Sequence, residues 1–378
     1  VDFAFDEGQQ ELRETARKLF GERLPYARLQ EIADDHGELV RPGGYDPALW
    51  SDIAQLGWLE MSDPDIGGSF LDEAVVLEEA GYALAPVPLL STLVALPAMR
   101  AVDWDLHLGA TVAWAEPTGA EAFGDLSAVR CVVTGSGTDG RLTGAKWDVP
   151  DIVTTQLLAV VARRPSADGR LTSDSEPVVC VMEHPEIDRV RIGLFNSTDS
   201  TRPIGEITFD DSPGYPLPDS ARILVEMRRR AFAGLALESV GIAQRALEIA
   251  TAHASTREQF GRVIGTYQAV SHRVADMYIA TELARSLAYR AAWYVATSET
   301  EPEAVPAAVV DSACSAAKAS GGEAGVLACE GLIQVLGGMG MTWEHVAHRF
   351  YKRALANRTY GGVPARHRAV VAAALLDG

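Results

Sequence analysis

Thr256-Arg257-Glu258-Gln259-Phe260-Gly261 closes a long helical pattern and runs into Gly261-Arg262-Val263-Ile264-Gly265, where the chain must turn before its next helix. Roughly 70 residues later Gln334-Val335-Leu336-Gly337-Gly338-Met339-Gly340 ends a second long apolar pattern on paired glycines. Between them Val270, Val274, Met277, Thr281, Ala284, Ala288, Ala291 and Val295 recur at three- and four-residue spacing, which predicts one helix with one buried stripe. Helices of that length pack antiparallel as a bundle.

Upstream, helical signals at Gln9 to Arg23, Pro47 to Leu56 and Leu71 to Ala85 are separated by turn-rich pieces, Arg41-Pro42-Gly43-Gly44 and Asp63-Pro64-Asp65-Ile66-Gly67-Gly68. From about Ala110 the pattern changes to short strands: Thr111 to Ala115, Val129 to Val133, Leu157 to Ala162, Val178 to Met182 and Ile204 to Phe209. The expected architecture is α+β and multidomain. An N-terminal helical domain covers 1–109, a β-barrel-like domain 110–217 and a C-terminal four-helix bundle 218–378.

The 378 residues, 47% of them hydrophobic, suffice for two or three packed domains with a large core. A formal charge of -19, from 33 basic and 52 acidic residues, argues against nucleic acid or an anionic membrane as the main partner. No stretch approaches roughly 18 uninterrupted apolar residues. The acidic opening Val1-Asp2-Phe3-Ala4-Phe5-Asp6-Glu7 does not read as an export signal, so a cytoplasmic protein is expected. Cys131, Cys180, Cys314 and Cys329 form no CxxC pair and read as reduced core residues.

Two tempting motifs have plainer readings. Gly135-Ser136-Gly137-Thr138-Asp139-Gly140 matches GxGxxG but lies between strand-like runs and opens no helix, so it reads as a hairpin turn. His345 and His348, three apart on an expected helix, lack the carboxylate or thiol company a metal needs.

The motifs quoted first resemble the flavin-binding signatures of acyl-CoA dehydrogenases. Gly241-Ile242-Ala243-Gln244-Arg245-Ala246-Leu247, Leu56-Gly57-Trp58-Leu59 and the order helical, β, helical bundle extend the resemblance over essentially the whole chain. The resemblance implies FAD as cofactor and an acyl-CoA thioester as substrate. It implies that Arg257 pairs with the flavin pyrophosphate, that Phe260 packs near the cofactor, and that Gln259, Gln334, Gly337 and Gly338 belong to the same site. A guanidinium forks onto phosphate oxygens, and a bare glycine lets backbone approach a ligand. In the family these groups reach across a dimer interface to the FAD of a neighbouring subunit.

The same resemblance implies a loss. The family's tyrosine-glutamate-glycine segment, whose carboxylate takes the substrate α-proton, falls on Tyr360-Gly361-Gly362. No catalytic residue is therefore assigned. The family's flavin loop becomes Ala115-Glu116-Pro117-Thr118-Gly119-Ala120-Glu121-Ala122. The tryptophan and threonine beside the ring become Asp148 and Pro150, with Trp147 one position early. The family's alternative base position is Ala231. Glu238, seven residues on and about 10 Å along the axis, is a displaced candidate with Arg245 as a possible partner. Met341-Thr342-Trp343-Glu344-His345 and Ser200-Thr201-Arg202-Pro203 resemble two-gene, α2β2 actinobacterial enzymes acting on steroid side-chain CoA thioesters. The expectation is a base-lacking subunit that completes the FAD site of a homologous partner, with an electron-transferring flavoprotein as one candidate acceptor. The alternatives are a homo-oligomeric dehydrogenase using Glu238, an oxygen-dependent flavoprotein of the same fold, and a cofactor-free structural subunit.

Overall fold

The computed structural model describes residues 5–34, 44–63, 66–117, 119–183 and 189–376. The turn-rich positions 41–43 and 64–65, the opening four residues and Thr118 of the altered loop lie outside the described residues. Helices α1 (Glu7–Arg23), α2 (Tyr26–Asp34), α3 (Pro47–Gln55), α4 (Phe70–Ala83) and α5 (Leu89–Arg100) come first. Strands follow as β1 (Ala110–Ala113), β2 (Val132–Thr134), β3 (Arg141–Pro150), β4 (Leu157–Arg163), β5 (Pro177–Glu183), β6 (Val190–Leu194), β7 (Ile204–Pro213) and β8 (Tyr215–Pro216). The chain then runs through α6 (Ser220–Thr256), β9 (Glu258–Gln259), β10 (Arg262–Val263), α7 (Gln268–Thr300), α8 (Ala307–Leu336), α9 (Ala347–Thr359) and α10 (Pro364–Leu376).

Local chemistry sets several of these limits. Asp6 accepts from Gln9 N while the Gln9 side chain accepts from Asp6 N, a capping box that starts α1. Ser69 and Asp72 do the same for α4, and Asp46 caps α3 ahead of Pro47.

The chain divides into two compact units. One gathers residues 1–31, 60–85 and 232–378; the other gathers 32–59 and 86–231. The second holds an eight-stranded sheet in the order β6-β7-β3-β2-β4-β5-β8, with β1 paired parallel to β4. The GxGxxG stretch is the β2–β3 connection, with Thr134 opposite Arg141, so the hairpin reading holds. Strand β4 is buried along its whole length and reads as a continuous apolar run.

In the first unit α7 packs on α8 and α4, and α8 also packs on α9 and α10. The stripe read from sequence is the packed face: Met277, Thr281, Ala284, Ala288, Ala291 and Val295 are all buried. Helices α4 and α6 cross at two glycines. A Cβ on Gly81 would stand 2.1 Å from the Glu238 carbonyl oxygen, and one on Gly241 only 1.9 Å from that of Glu78. Gly241, singled out from the motif around it, is therefore required by helix packing. Buried glutamates on α4 are each partnered: Glu78 accepts from Tyr289 Oη and Arg285, and Glu79 binds Arg13 and Arg17. Helix α8 is long and apolar enough to cross a membrane by length and composition. Eighteen of its residues are buried against the bundle, as befits a core helix.

Candidate functional site

Helix α6 ends at Thr256 and the chain reverses over Gln259 and Arg262, which pair across a two-residue turn. Both central residues have positive φ, 53° at Phe260 and 81° at Gly261. That is the primed geometry matching strand twist, which glycine adopts freely and phenylalanine only at a cost. Phe260 is 94% exposed, so within the chain neither packing nor burial offsets that cost. A strained, fully solvated aromatic at a loop tip points to a surface the chain does not itself supply.

The rest of the tip is equally open. Arg257 is exposed and its guanidinium meets no carboxylate among the described residues, although its backbone is fixed by Arg257 N to His253 O and Ile264 N to Arg257 O. Gln259 is exposed, and its amide donates to the carbonyl of the adjacent Glu258. Tyr267 Oη donates to the Gln259 carbonyl at 3.1 Å, and the Arg262 guanidinium lies over the Tyr267 ring at 3.9 Å. These contacts brace the turn from behind.

The second motif lies on the same core cluster. Ala254 at the end of α6 and Val335 and Leu336 at the end of α8 are buried in it, and Ile264 packs against it. Gln334, Gly337 and Gly338 are exposed. A Cβ at Gly338 would meet no atom within 4 Å, so the backbone there is open to an approaching group. Met339, Met341 and Trp343 continue outward as an exposed apolar rim. Their spacing of two suggests a strand, whereas the chain here forms a 3-10 turn over Gly337–Met341, so the shared exposure is not legible from the sequence period. Burial foremost, with the His253 charge second, pulls the His345 pKa below its ordinary value. His345 Nδ1 accepts from Ala347 N, and His348 stacks on Trp343 at 4.7 Å. No metal cluster occurs among the described residues.

The segment assigned to the family's base position forms a buried turn. Gly361 has φ 77° and Gly362 φ 109°. A Cβ on Gly361 would stand 3.3 Å from Phe232 Cε1 and 3.5 Å from Leu235 Cδ1. The Phe232 ring meets His367 edge-on at 4.6 Å, and His367 Nε2 lies 3.0 Å from the Gly361 carbonyl oxygen. Lys318 donates to the carbonyls of Arg358 and Gly362. Gly361→Glu should therefore add strain of about 1–3 kcal/mol and no dehydrogenase turnover. A lower melting temperature with unchanged rate is the expected pair of readings.

Burial lowers the Lys318 pKa to about 7, and burial followed by the Lys318 charge lowers His367 to about 4. Between pH 7 and the ordinary lysine value the unfolded chain keeps a proton on this lysine that the folded chain has lost, so stability rises with pH there. From pH 7 to 9 this contributes about 2 kcal/mol. Thermal melts should show that rise in the wild type and a flatter profile in Lys318→Met.

Glu238 is buried and fully engaged: Arg353 Nη1 donates to Oε1 at 2.9 Å, and Asn357 Nδ2 donates to Oε2 at 2.7 Å. Its partner is thus Arg353, not Arg245. Arg245 instead donates to Tyr82 Oη, because the α4–α6 crossing brings Tyr82 alongside. Ala231 is buried.

In the sheet unit, the family-like remnants have structural work of their own. Glu116 accepts from Arg130 N, Cys131 N and Lys146 Nζ, the last at 2.6 Å, and both charged side chains are shut from solvent. A β-bulge between Lys146 and Val149 holds Asp148 at φ 49°. Trp147 packs against Phe195 at 4.4 Å. Burial raises the Asp148 pKa above the ordinary carboxylate value. Arg202, from the Ser200–Pro203 phrase, is buried 4.0 Å from Asp151. All four cysteines are buried and none forms a disulfide.

Residues 6–102 match the acyl-CoA dehydrogenase N-terminal domain and residues 229–376 the acyl-CoA dehydrogenase C-terminal domain. The chain is 32% identical over 356 residues to the acyl-CoA dehydrogenase IpdE2 of Mycobacterium tuberculosis, covering 92% of this chain and 91% of that protein. The chain belongs to the acyl-CoA dehydrogenase family. Members of this family are FAD-dependent oxidoreductases acting on CH–CH bonds. Among solved structures, a variant of the Tcur3481-Tcur3483 steroid ACAD superposes with a TM-score of 0.82 at 28% identity, over 98% of each chain. The ChsE4-ChsE5 complex from Mycobacterium tuberculosis shares the acyl-CoA dehydrogenase fold at a TM-score of 0.81 and 22% identity, over 100% of each chain. The free guanidinium of Arg257, the exposed amides of Gln259 and Gln334, the solvated ring of Phe260 and the bare backbone at Gly338 fit FAD: they offer a fork for phosphate, donors and acceptors for adenosine, and an apolar face.

Proposed function

We propose that this chain is the base-lacking subunit of a heteromeric, FAD-dependent acyl-CoA dehydrogenase, and that it completes the FAD site of a homologous catalytic partner. Arg257, Gln259, Phe260, Gln334, Gly337 and Gly338 would hold the dinucleotide end of a FAD seated in that partner, in an α2β2 particle with one FAD per heterodimer. The substrate is an acyl-CoA thioester, and a steroid side chain is the acyl class suggested by the subject of the Tcur3481-Tcur3483 structure.

The carrying observation is a contrast within one unit. The loop tip is open and unpartnered, while the turn at the base position presents a glycine with Phe232 and Leu235 against it. Desaturation needs a carboxylate to take the α-proton as the β-hydrogen leaves with its electron pair. FAD supplies the acceptor for that hydride. Gly361 has no group that takes a proton, so the carboxylate comes from the partner. Glu238 is a poor substitute, since one of its oxygens is held by the buried Arg353 guanidinium and the other by the Asn357 amide. This arrangement favours the heteromeric reading over a homo-oligomer with a displaced base.

Co-expression with the partner tests the assignment. Changing the partner's base carboxylate to the amide should abolish turnover of the complex, whereas Glu238→Gln here should leave the turnover of the folded complex unchanged. Loss of turnover on the second change, with folding intact, would return the base to this chain.

A further inference from the structure

The polar face of α1 lines a cavity. Gln10, Arg13, Glu14, Arg17 and Lys18 follow one another at i, i+3, i+4, i+7 and i+8 and so share one side of the helix, while Ala16 and Phe20 are its buried residues. Together with Phe5 they border a space of about 660 Å³. Small-molecule sites occupy roughly 300–1,000 Å³, so this one has room for an organic ligand.

The charge of the lining selects the ligand. The chain carries -19 overall, yet three cations and a single carboxylate border this cavity. Buried Glu79 offsets one more cation: its Oε1 accepts from Arg13 Nε at 3.1 Å and from Arg17 Nη2 at 2.9 Å, and its Oε2 accepts from Arg17 Nε. One positive charge is left in excess. Arg17 is committed to Glu79 by two nitrogens, and its guanidinium lies 3.6 Å from the centre of the Tyr82 ring. Arg13 is held by its Nε, so its two Nη groups have no acceptor among the described residues, and its side chain is 41% exposed. Phe5 supplies an apolar wall: its ring packs on Tyr289 at 5.1 Å, its carbonyl accepts from Gln10 Nε2, and the Arg13 guanidinium stands 5.7 Å from its centre. A guanidinium with two open donors beside an aromatic ring is suited to a carboxylate joined to a flat apolar body.

We propose that this cavity on α1 binds a small organic monocarboxylate with a flat apolar body, its carboxylate forked on the two Nη groups of Arg13 and its body against Phe5. Lys18 adds to the attracting field. A single excess charge matches one carboxylate and leaves a doubly charged phosphate half compensated. None of the six lining residues belongs to the flavin-binding set, and the site does not depend on the division of labour between subunits.

Equilibrium dialysis of the full chain against cinnamate, a flat aromatic monocarboxylate, provides the test. One saturable site per chain is expected. Arg13→Ala should weaken it by about 10-fold or more through the loss of a charge-assisted contact, while Arg17 keeps Glu79 paired and the fold intact. Lys18→Ala, a change at an exposed position, should weaken it about two- to fivefold at low salt, and melting curves confirm that both variants are folded. The neutral cinnamamide should bind about 10-fold more weakly than the acid. Absence of saturable binding would overturn the site, as would undiminished binding by folded Arg13→Ala or by the amide. Displacement of cinnamate by an equal concentration of inorganic phosphate would reduce the cavity to a bare anion site and overturn the role given to Phe5. Flavin released from the co-expressed complex as cinnamate saturates would place the acid in the flavin site, and the proposal would fall.

Discussion

Glu238→Ala should destabilise this chain by about 3–5 kcal/mol, the cost of stranding a buried charge whose partner has been removed. Arg353 is almost wholly buried, and the Glu238 carboxylate is the acid the described contacts give it. Deleting that acid takes the described counter-charge from a buried guanidinium and removes the acceptor of the Asn357 amide. A fall in melting temperature of several degrees is expected. The distinguishing reading is kinetic. Turnover per folded complex should hold steady, because a carboxylate engaged on both oxygens supports the fold and does not exchange protons with substrate. A large rate loss in Glu238→Gln at full folding would contradict this.

Arg257→Ala should weaken FAD binding by the co-expressed complex by about 10- to 100-fold, since a charge-assisted, forked contact to phosphate is worth roughly 1.5–3 kcal/mol. Arg257→Lys keeps the charge and loses the fork, so it should recover only part of the affinity. Flavin retained through gel filtration, followed by equilibrium titration, measures both. The melting temperature of the isolated chain should not move, because the guanidinium forms no ion pair with any of the described residues. That separates a binding role from a folding one: a structural arginine would shift the melt, and this one should shift only the flavin.

The parts of this molecule legible in its sequence are those whose physics is local. The α7 stripe follows helical period, the strand-rich middle follows turn residues and apolar runs, and the loop-tip and paired-glycine motifs are contiguous strings. Helix α5 was not read because it is apolar on every side: Leu89 to Leu96 are all buried, so no amphipathic period marks it, and Pro97 lies within. The partner of Glu238 was misread for another reason. Arg353 lies more than a hundred residues away and reaches Glu238 only through the packing of α9 in the bundle, whereas Arg245 was the cation at a convenient helical spacing. Lys318 and His367, which hold the turn at Gly361, likewise come from two further helices. Trp147 illustrates register: the bulge between Lys146 and Val149 adds one residue on β3, and letter-by-letter counting cannot see a bulge.

The division of labour between this chain and its partner is tested most directly by purifying the chain alone and with the partner, then measuring bound flavin and thioester desaturation in both. The account predicts a complex with one FAD per heterodimer and full turnover, and an isolated chain slower by at least the roughly 10²- to 10⁴-fold that loss of a general base costs. An isolated chain that is yellow and desaturates thioesters at the rate of the complex would contradict it.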